Sequence, residues 1–149
     1  MGSTSSNSAF VARRIDCYDI VYGSEVYSKF DANGESRTFF ELVYEDPVEI
    51  DPETIGQFIG FSDKNGDRIF EGDALYRFDV QGGQTVIVAY RAGLHGFARF
   101  GQDGECTEFE PLYDSDTQKL NCDFSKTIRL GRAPHKVESM IANVIANEY

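Results

Sequence analysis

From Tyr18 onward, short runs rich in aromatic and branched side chains are separated by glycine-, asparagine- and proline-marked turns, the pattern of β-strands rather than helices. Tyr18, Ile20 and Tyr22 alternate with Asp19 and Val21, and residues 26–30 predict a second strand. Asp31-Ala32-Asn33-Gly34 follows as a turn, because Asn-Gly tolerates positive φ. Residues 38–44 (TFFELVY) are dense in aromatic and branched side chains and predict a strong strand. Residues 45–53 are acidic, contain Pro47 and Pro52, and read as a connection or an irregular edge. The apolar run 54–61, the Asn65-Gly66 turn and the return at 67–70 predict a hairpin. Further strands are expected at 73–80, 85–90, 96–100 and 107–112, with Gly82-Gly83 as a turn and 114–123 as a polar loop. Val137, Met140, Ile141, Val144 and Ile145 fit a helical spacing, so 137–145 stays open between helix and strand. No repeat is evident. Many short strands punctuated by glycine turns predict a mainly β, antiparallel fold with little helix, either a barrel or a sandwich.

Composition narrows the function. At 149 residues the expectation is a Ser-rich disordered leader at 1–9 and a single domain over 10–149. Hydrophobic residues at 41% and aromatics at 13% supply a core and exclude a wholly disordered chain. Lys plus Arg number 14 against 25 Asp plus Glu, a net charge of -11. Direct nucleic-acid binding needs a basic stripe, and anionic membranes repel such a chain. The charge suits a partner with a basic face. No apolar run is long enough to span a membrane, and no secretory signal is present, so no membrane association is expected. Met1-Gly2 formally fits a myristoylation pattern but reads as part of the leader. Three cysteines, Cys17, Cys106 and Cys122, form no framework and point to a reducing cytoplasm.

The richest segment is Gly60-Phe61-Ser62-Asp63-Lys64-Asn65-Gly66-Asp67-Arg68-Ile69-Phe70-Glu71-Gly72-Asp73-Ala74-Leu75. Asp63, Asn65 and Asp67 fall at the first three ligand positions of an EF-hand loop, but Arg68 and Ala74 replace its glycine and its bidentate glutamate. Asp63, Asp67, Glu71 and Asp73 form no pair that spacing marks as acid and base. A structural reading needs no ligand. Asp63 accepts N–H groups across the turn, Ile69 faces the core with Phe70 on the other side of the pleat, Gly72 lets the chain swing and Asp73 ties down the bend. Cys106, Cys122, His95 and His135 match no zinc spacing. His95-Gly96-Phe97-Ala98-Arg99-Phe100 echoes an RNA-recognition strand but carries Arg99 where an aromatic belongs. Neither a nucleophile elbow nor a Walker loop occurs, and Cys106–His135 has no support as a catalytic pair. The expectation is a non-enzymatic chain with no cofactor and no metal.

The same segment resembles the signature of the YopX-like family of phage and prophage proteins. Gly60, Phe61, Asp63, Lys64, Asn65, Gly66, Ile69, Phe70, Glu71, Gly72 and Asp73 all fit, residues 54–58 resemble the lead-in, and 140–145 resemble a closing strand with Ala142 in place of glycine. The resemblance covers 38–90 and 137–147, with no counterpart for 101–134. It implies an SH3-like barrel with additional antiparallel strands and a mobile-element origin. It implies no activity and carries over no catalytic residue.

Acidic clusters are the better functional lead. Glu41, Glu45, Asp46, Glu49, Asp51 and Glu53 form one, without Lys or Arg among them; Asp103, Glu105, Glu108, Glu110, Asp114 and Asp116 form another. In an extended strand Glu49, Asp51 and Glu53 would share a face at a spacing of about 6.7 Å, near that of successive phosphates. The candidate interaction surface is therefore Glu45, Asp46, Glu49, Asp51, Glu53, Glu108 and Glu110. The expected function is an accessory protein acting by protein–protein contact in the bacterial host cytoplasm. The alternatives are an acidic nucleic-acid mimic that inhibits a host DNA- or RNA-binding enzyme, and a small metal-binding or hydrolytic domain. Basic residues cluster late (Lys119, Lys126, Arg129, Arg132, Lys136), so self-association of acidic face with basic face is also open.

Overall fold

A computed structural model describes residues 8–100 and 106–133. The protein is mainly β and antiparallel, and among the described residues the one helical element is the 3₁₀ turn Phe124–Lys126. The chain divides into two compact units, residues 1–58 and 59–149. The leader at 1–7 and the stretch 137–145 lie outside the described residues.

The first unit contains β1 (Phe10–Arg14), β2 (Ile20–Gly23), β3 (Glu25–Phe30), β4 (Ser36–Glu41) and most of β5 (Val48–Ser62). Their order is β2-β1-β5-β4-β3. The two ends of that order, β2 and β3, are joined covalently through Ser24 alone. Among the described residues the hydrogen-bonded path does not close, which corrects the SH3-like barrel expectation while leaving the mainly β class intact. Ala12, Val21, Phe40 and Ile50 form the core, flanked by Phe10, Leu42, Val48 and Ile55. Gly23 is part of that packing, since the Phe40 ring lies against its backbone.

Three local expectations change. The sequence reading assigned nothing to 10–14, where Arg13-Arg14 obscures the buried Val11 and Ala12. The strand expected at 38–44 stops at Glu41, and Tyr44 turns into the left-handed region at φ 66°. The expected irregular edge at 45–53 is instead the start of the 15-residue β5, which runs straight through Pro52. Its tolerance of proline has a clear cause. β1 pairs Arg13 with Asp51 and Val11 with Gly56, so the ladder is interrupted by a bulge between them. Proline lacks an N–H, and a bulge asks for none. Thr54 repairs the gap: its hydroxyl donates to the Asp51 carbonyl (2.7 Å) and accepts from the Arg13 N–H (2.8 Å).

The second unit takes the end of β5, then β6 (Arg68–Phe70), which pairs with it, and a five-stranded sheet. That sheet comprises β7 (Asp73–Arg77), β8 (Gln84–Arg91), β9 (Leu94–Phe100), β10 (Cys106–Pro111) and β11 (Thr127–Arg132), in the order β10-β9-β8-β7-β11. β7 to β10 form a meander; β11 then returns to lie beside β7. The β8–β9 connection places both Ala92 and Gly93 at positive φ (54° and 82°), as a two-residue hairpin turn matched to strand twist requires. Ile69, Leu75, Val86, Val88, Phe97, Leu112, Cys122 and Phe124 form the core, with Ile59 and Phe61 packed on it. Phe61 stacks on Phe124 with ring centroids 4.4 Å apart. Ile69 and Phe70 are both fully buried, so the two faces of β6 are each covered.

A β-carbon at Gly23 would lie 2.7 Å from the Phe40 ring. Gly23→Ala is therefore expected to cost about 1–3 kcal/mol through displaced packing, read as a lower urea midpoint with an unchanged slope.

Candidate functional site

The segment from Gly60 to Asp73 folds as a clamped double bend. At the first bend, Asp63 Oδ1 accepts the N–H groups of Asn65 and Asp67, both at 2.9 Å. Asp63 Oδ2 accepts the Arg129 N–H of β11 at 2.7 Å. The Lys64 N–H adds a bond to the Thr127 carbonyl (3.0 Å). Asn65 and Gly66 form the exposed tip, with Gly66 at φ 83°. Both carboxylate oxygens of Asp63 are thus engaged by backbone donors, and three residues separate it from Asp67. The geometry is that of a turn, with its first acid already coordinated by N–H groups.

The second bend centres on Asp73, which has no exposed surface. Its Oδ2 accepts the Phe70 N–H (2.8 Å) and Arg129 Nε (2.9 Å), and its Oδ1 accepts an Arg132 guanidinium nitrogen (3.0 Å). The same Arg132 nitrogen also donates to the Glu71 carbonyl. Gly72 sits at φ 89°, and a β-carbon there would fall 2.6 Å from the Arg132 guanidinium. Its glycine identity is set both by backbone angle and by the arriving arginine. Glu71 contacts His95 of β9, oxygen to Nε2, at 2.7 Å. Asp63, Glu71, Gly72 and Asp73 are thereby brought together with β9 and β11; Gly60, exposed at φ 94°, and the Asn65-Gly66 tip stand outside that cluster.

A second polar network lies over Phe97. Arg77 is buried, with its guanidinium 4.9 Å from the Phe97 ring centroid. It forms two bonds of 2.9 Å to Asp79, one of 2.7 Å to Glu110 and one of 3.2 Å to the Asn121 carbonyl. Phe97 is buried beneath this cation and offers no stacking face for a base. The adjoining cleft, lined by Gln84, Val86, Phe97, Arg99, Glu108 and Glu110, encloses about 50 Å³. Ligand pockets run to roughly 300–1,000 Å³, so this one suits a water or two. Burial pushes the nearby Cys122 thiol up to about 12, leaving it a neutral core group.

The acidic surface is less continuous than its spacing implies. Glu49 is held by the Arg37 guanidinium. Asp51 is buried and accepts the Tyr18 hydroxyl at 2.7 Å. Glu53 is exposed, within the break in alternation at the bulge. The row Glu49, Asp51, Glu53 therefore does not share one solvent face. Glu108 pairs with Arg99 (2.9 Å) and Glu110 with Arg77. Glu45 and Asp46 stay exposed in the β4–β5 connection. Among the described residues no group of three or more His, Cys, Asp or Glu converges on a metal position. The side chains of Cys106 and His135 lie outside the described set.

The model of the YopX protein family matches residues 10–120. The chain belongs to the YopX family. Comparison with curated proteins and with solved structures finds no match. The YopX match takes in β1 and both bends, and it extends through 101–120, where the sequence reading found no counterpart. The closing run at 137–147 falls beyond it. So do Arg129 and Arg132, which hold the YopX signature segment in place from outside the matched stretch. Sequence reasoning placed Arg129 and Arg132 in a basic cluster open to self-association and missed their role at Asp73; it missed Arg77 altogether. The Arg77-x-Asp79 spacing, which puts both side chains on one face of an extended chain, was the available signal for the latter.

Four carboxyls among the described residues lie below their ordinary range: Asp16, hydrogen-bonded by Arg14, and Glu49, Asp79 and Asp114 for reasons of their own. Burial is the largest single influence on Asp79 and raises it, but the Arg77 hydrogen bond, the Asp123 N–H and the Arg77 charge together outweigh it; the Arg37 hydrogen bond lowers Glu49; backbone donors at Thr117 and Asp116 lower Asp114. A depressed folded-state value contributes stability above the ordinary carboxylate range and loses it as pH falls through that value. The urea midpoint is expected to stay level from about pH 7 to 5 and drop below about pH 4. At Asp73, substitution by Asn leaves two arginines facing a neutral amide in a buried site. Asp73→Asn is expected to cost about 3–5 kcal/mol in urea unfolding, whereas Glu108→Gln, at an exposed pair, changes it by less than about 0.5 kcal/mol.

Proposed function

We propose that this YopX-family chain is a non-catalytic accessory protein of a phage or prophage that works in the bacterial cytoplasm by binding another protein. The observation that carries this reading is the β4–β5 connection. Val43 is 75% exposed and Tyr44 is 101% exposed, and Glu41, Glu45 and Asp46 around them are exposed too. A large aromatic held in the left-handed region costs about 1–2 kcal/mol. A glycine would avoid that strain, and the ring makes no use of the chain's own core. Aromatics ringed by charge are what anchors at protein interfaces look like. The complementary partner offers an apolar pocket with a lysine or arginine rim. The paired or buried state of Glu49, Asp51, Glu108 and Glu110 favours this compact anchor over an extended anionic row that imitates nucleic acid.

Tyr44→Gly separates binding from folding. It is expected to hold or raise the urea midpoint, because glycine accepts the left-handed angle. The protein captured from host lysate by the wild-type chain is then purified, and its affinity is compared for both forms. A loss of about tenfold or more, with binding that weakens as salt rises, supports the reading. Unchanged affinity, or turnover of a substrate by the purified chain, overturns it.

A further inference from the structure

β3 is the outermost strand of the first unit, and among the described residues its one ladder partner is β4. Every residue of β3 except Tyr27 is exposed, including Val26 at 40% and Phe30 at 76%. The direction of its free backbone groups follows from the turn. The Asp31 N–H donates to the Glu35 carbonyl, so that pair is a bonded one. Bonded and non-bonded pairs alternate along an antiparallel ladder. Lys29–Arg37, Tyr27–Phe39 and Glu25–Glu41 are then the bonded pairs, and Val26, Ser28 and Phe30 aim their N–H and C=O groups away from β4.

The hairpin also sets like charges against each other. Glu25 lies opposite Glu41, and Lys29 lies opposite Arg37. Arg37 is already engaged by Glu49, and Lys29 rests over the Phe39 ring at 5.1 Å. Directly opposed like charges destabilise a sheet, and each is relieved by an opposite charge on its other side.

We propose that β3 pairs antiparallel with β3 of a second copy of this chain, about a two-fold axis through Tyr27. In a symmetric antiparallel pair, outward-facing residues must oppose outward-facing residues, so the axis passes through a residue. Through Ser28 it would set Glu25 against Asp31 of the second copy. Through Val26 it would set Glu25 against Tyr27 and pair no charges. Through Tyr27 it sets Glu25 against Lys29 of the second copy, and Lys29 against its Glu25. Val26 and Ser28 then exchange backbone bonds, and the two Tyr27 rings meet on the axis. Because Tyr27 already stacks on Phe39 with centroids 5.4 Å apart, the result is an aromatic ladder across four strands. A six-residue edge is a small interface, so the dimer is weak, with a dissociation constant on the order of 10 μM to 1 mM.

Sedimentation equilibrium of the full chain tests this, independently of the Val43–Tyr44 surface. A reversible dimer is expected that weakens with added salt. Lys29→Glu places glutamates opposite Glu25 across the interface and is expected to weaken it about tenfold. The double variant Glu25→Lys, Lys29→Glu restores opposite charges in the same register and is expected to recover wild-type association. Both variants put unlike charges opposite each other within the hairpin, so neither endangers the fold. In a Cys17→Ser background, Tyr27→Cys is expected to form a disulfide-linked dimer on oxidation, whereas Lys29→Cys, opposite Glu25, is not. A chain that stays monomeric at about 1 mM, a dimer indifferent to Lys29→Glu, or one that the double variant fails to recover overturns the proposal.

Discussion

A carboxylate with no exposed surface must be surrounded by donors, because desolvating an unpaired charge costs several kcal/mol. Asp73 meets that requirement with one backbone N–H and two guanidinium groups. Much of the second unit's geometry follows. The arginines come from β11, so β11 is fixed alongside β7. Arg132 needs the space a side chain at Gly72 would fill, so the bend before β7 must be glycine. The freed backbone of Gly72 is then used twice: its N–H donates to the Val88 carbonyl (2.7 Å) and its carbonyl accepts from Ala133 (2.8 Å). Asp63 repeats the logic one turn earlier, one oxygen for its own hairpin and one for β11. The acids that look like a ligand set in the chain are the fasteners of two bends.

The first unit solves a different difficulty. A 15-residue strand with a proline in it would ordinarily lose ladder bonds on an interior position. The bulge at 52–55 removes the demand there, and the Asp51 carbonyl, the Thr54 hydroxyl and the Arg13 N–H form a short relay across the gap. Asp51 is drawn inward by that relay and by Tyr18, so it is lost as a surface charge. A residue that composition counts toward an acidic face is spent on holding the strand together.

This is also where the sequence stopped being readable. Elements set by local chemistry were legible: the Asn-Gly turns, the aromatic run ending in β4, the Val- and Ile-rich β8, and the bend at Gly72-Asp73. Elements set by distant partners were not. β1 and β11 each carry arginines that mask their strand pattern, and those of β11 make sense only beside Asp73. Pro52 reads as a strand breaker unless the bulge opposite is known. The acidic row failed for the same reason, since alternation predicts a shared face only where the ladder is uninterrupted. Tyr44 looked like the last residue of a strand, because nothing in TFFELVY marks the point where the backbone turns left-handed.

The distance along the chain between the buried acid and its counter-charges also has a consequence in time. Arg129 lies 56 residues after Asp73. At roughly 5–20 residues per second, a ribosome delivers it about 3–11 s later. Throughout that interval the nascent second unit carries an acid it has no means of enclosing, so its bends stay open to water. The first unit, whose core and bulge relay are complete by residue 58, is under no such delay. Synthesis therefore imposes an order of assembly on the two units, with β11 as the event that shuts the second.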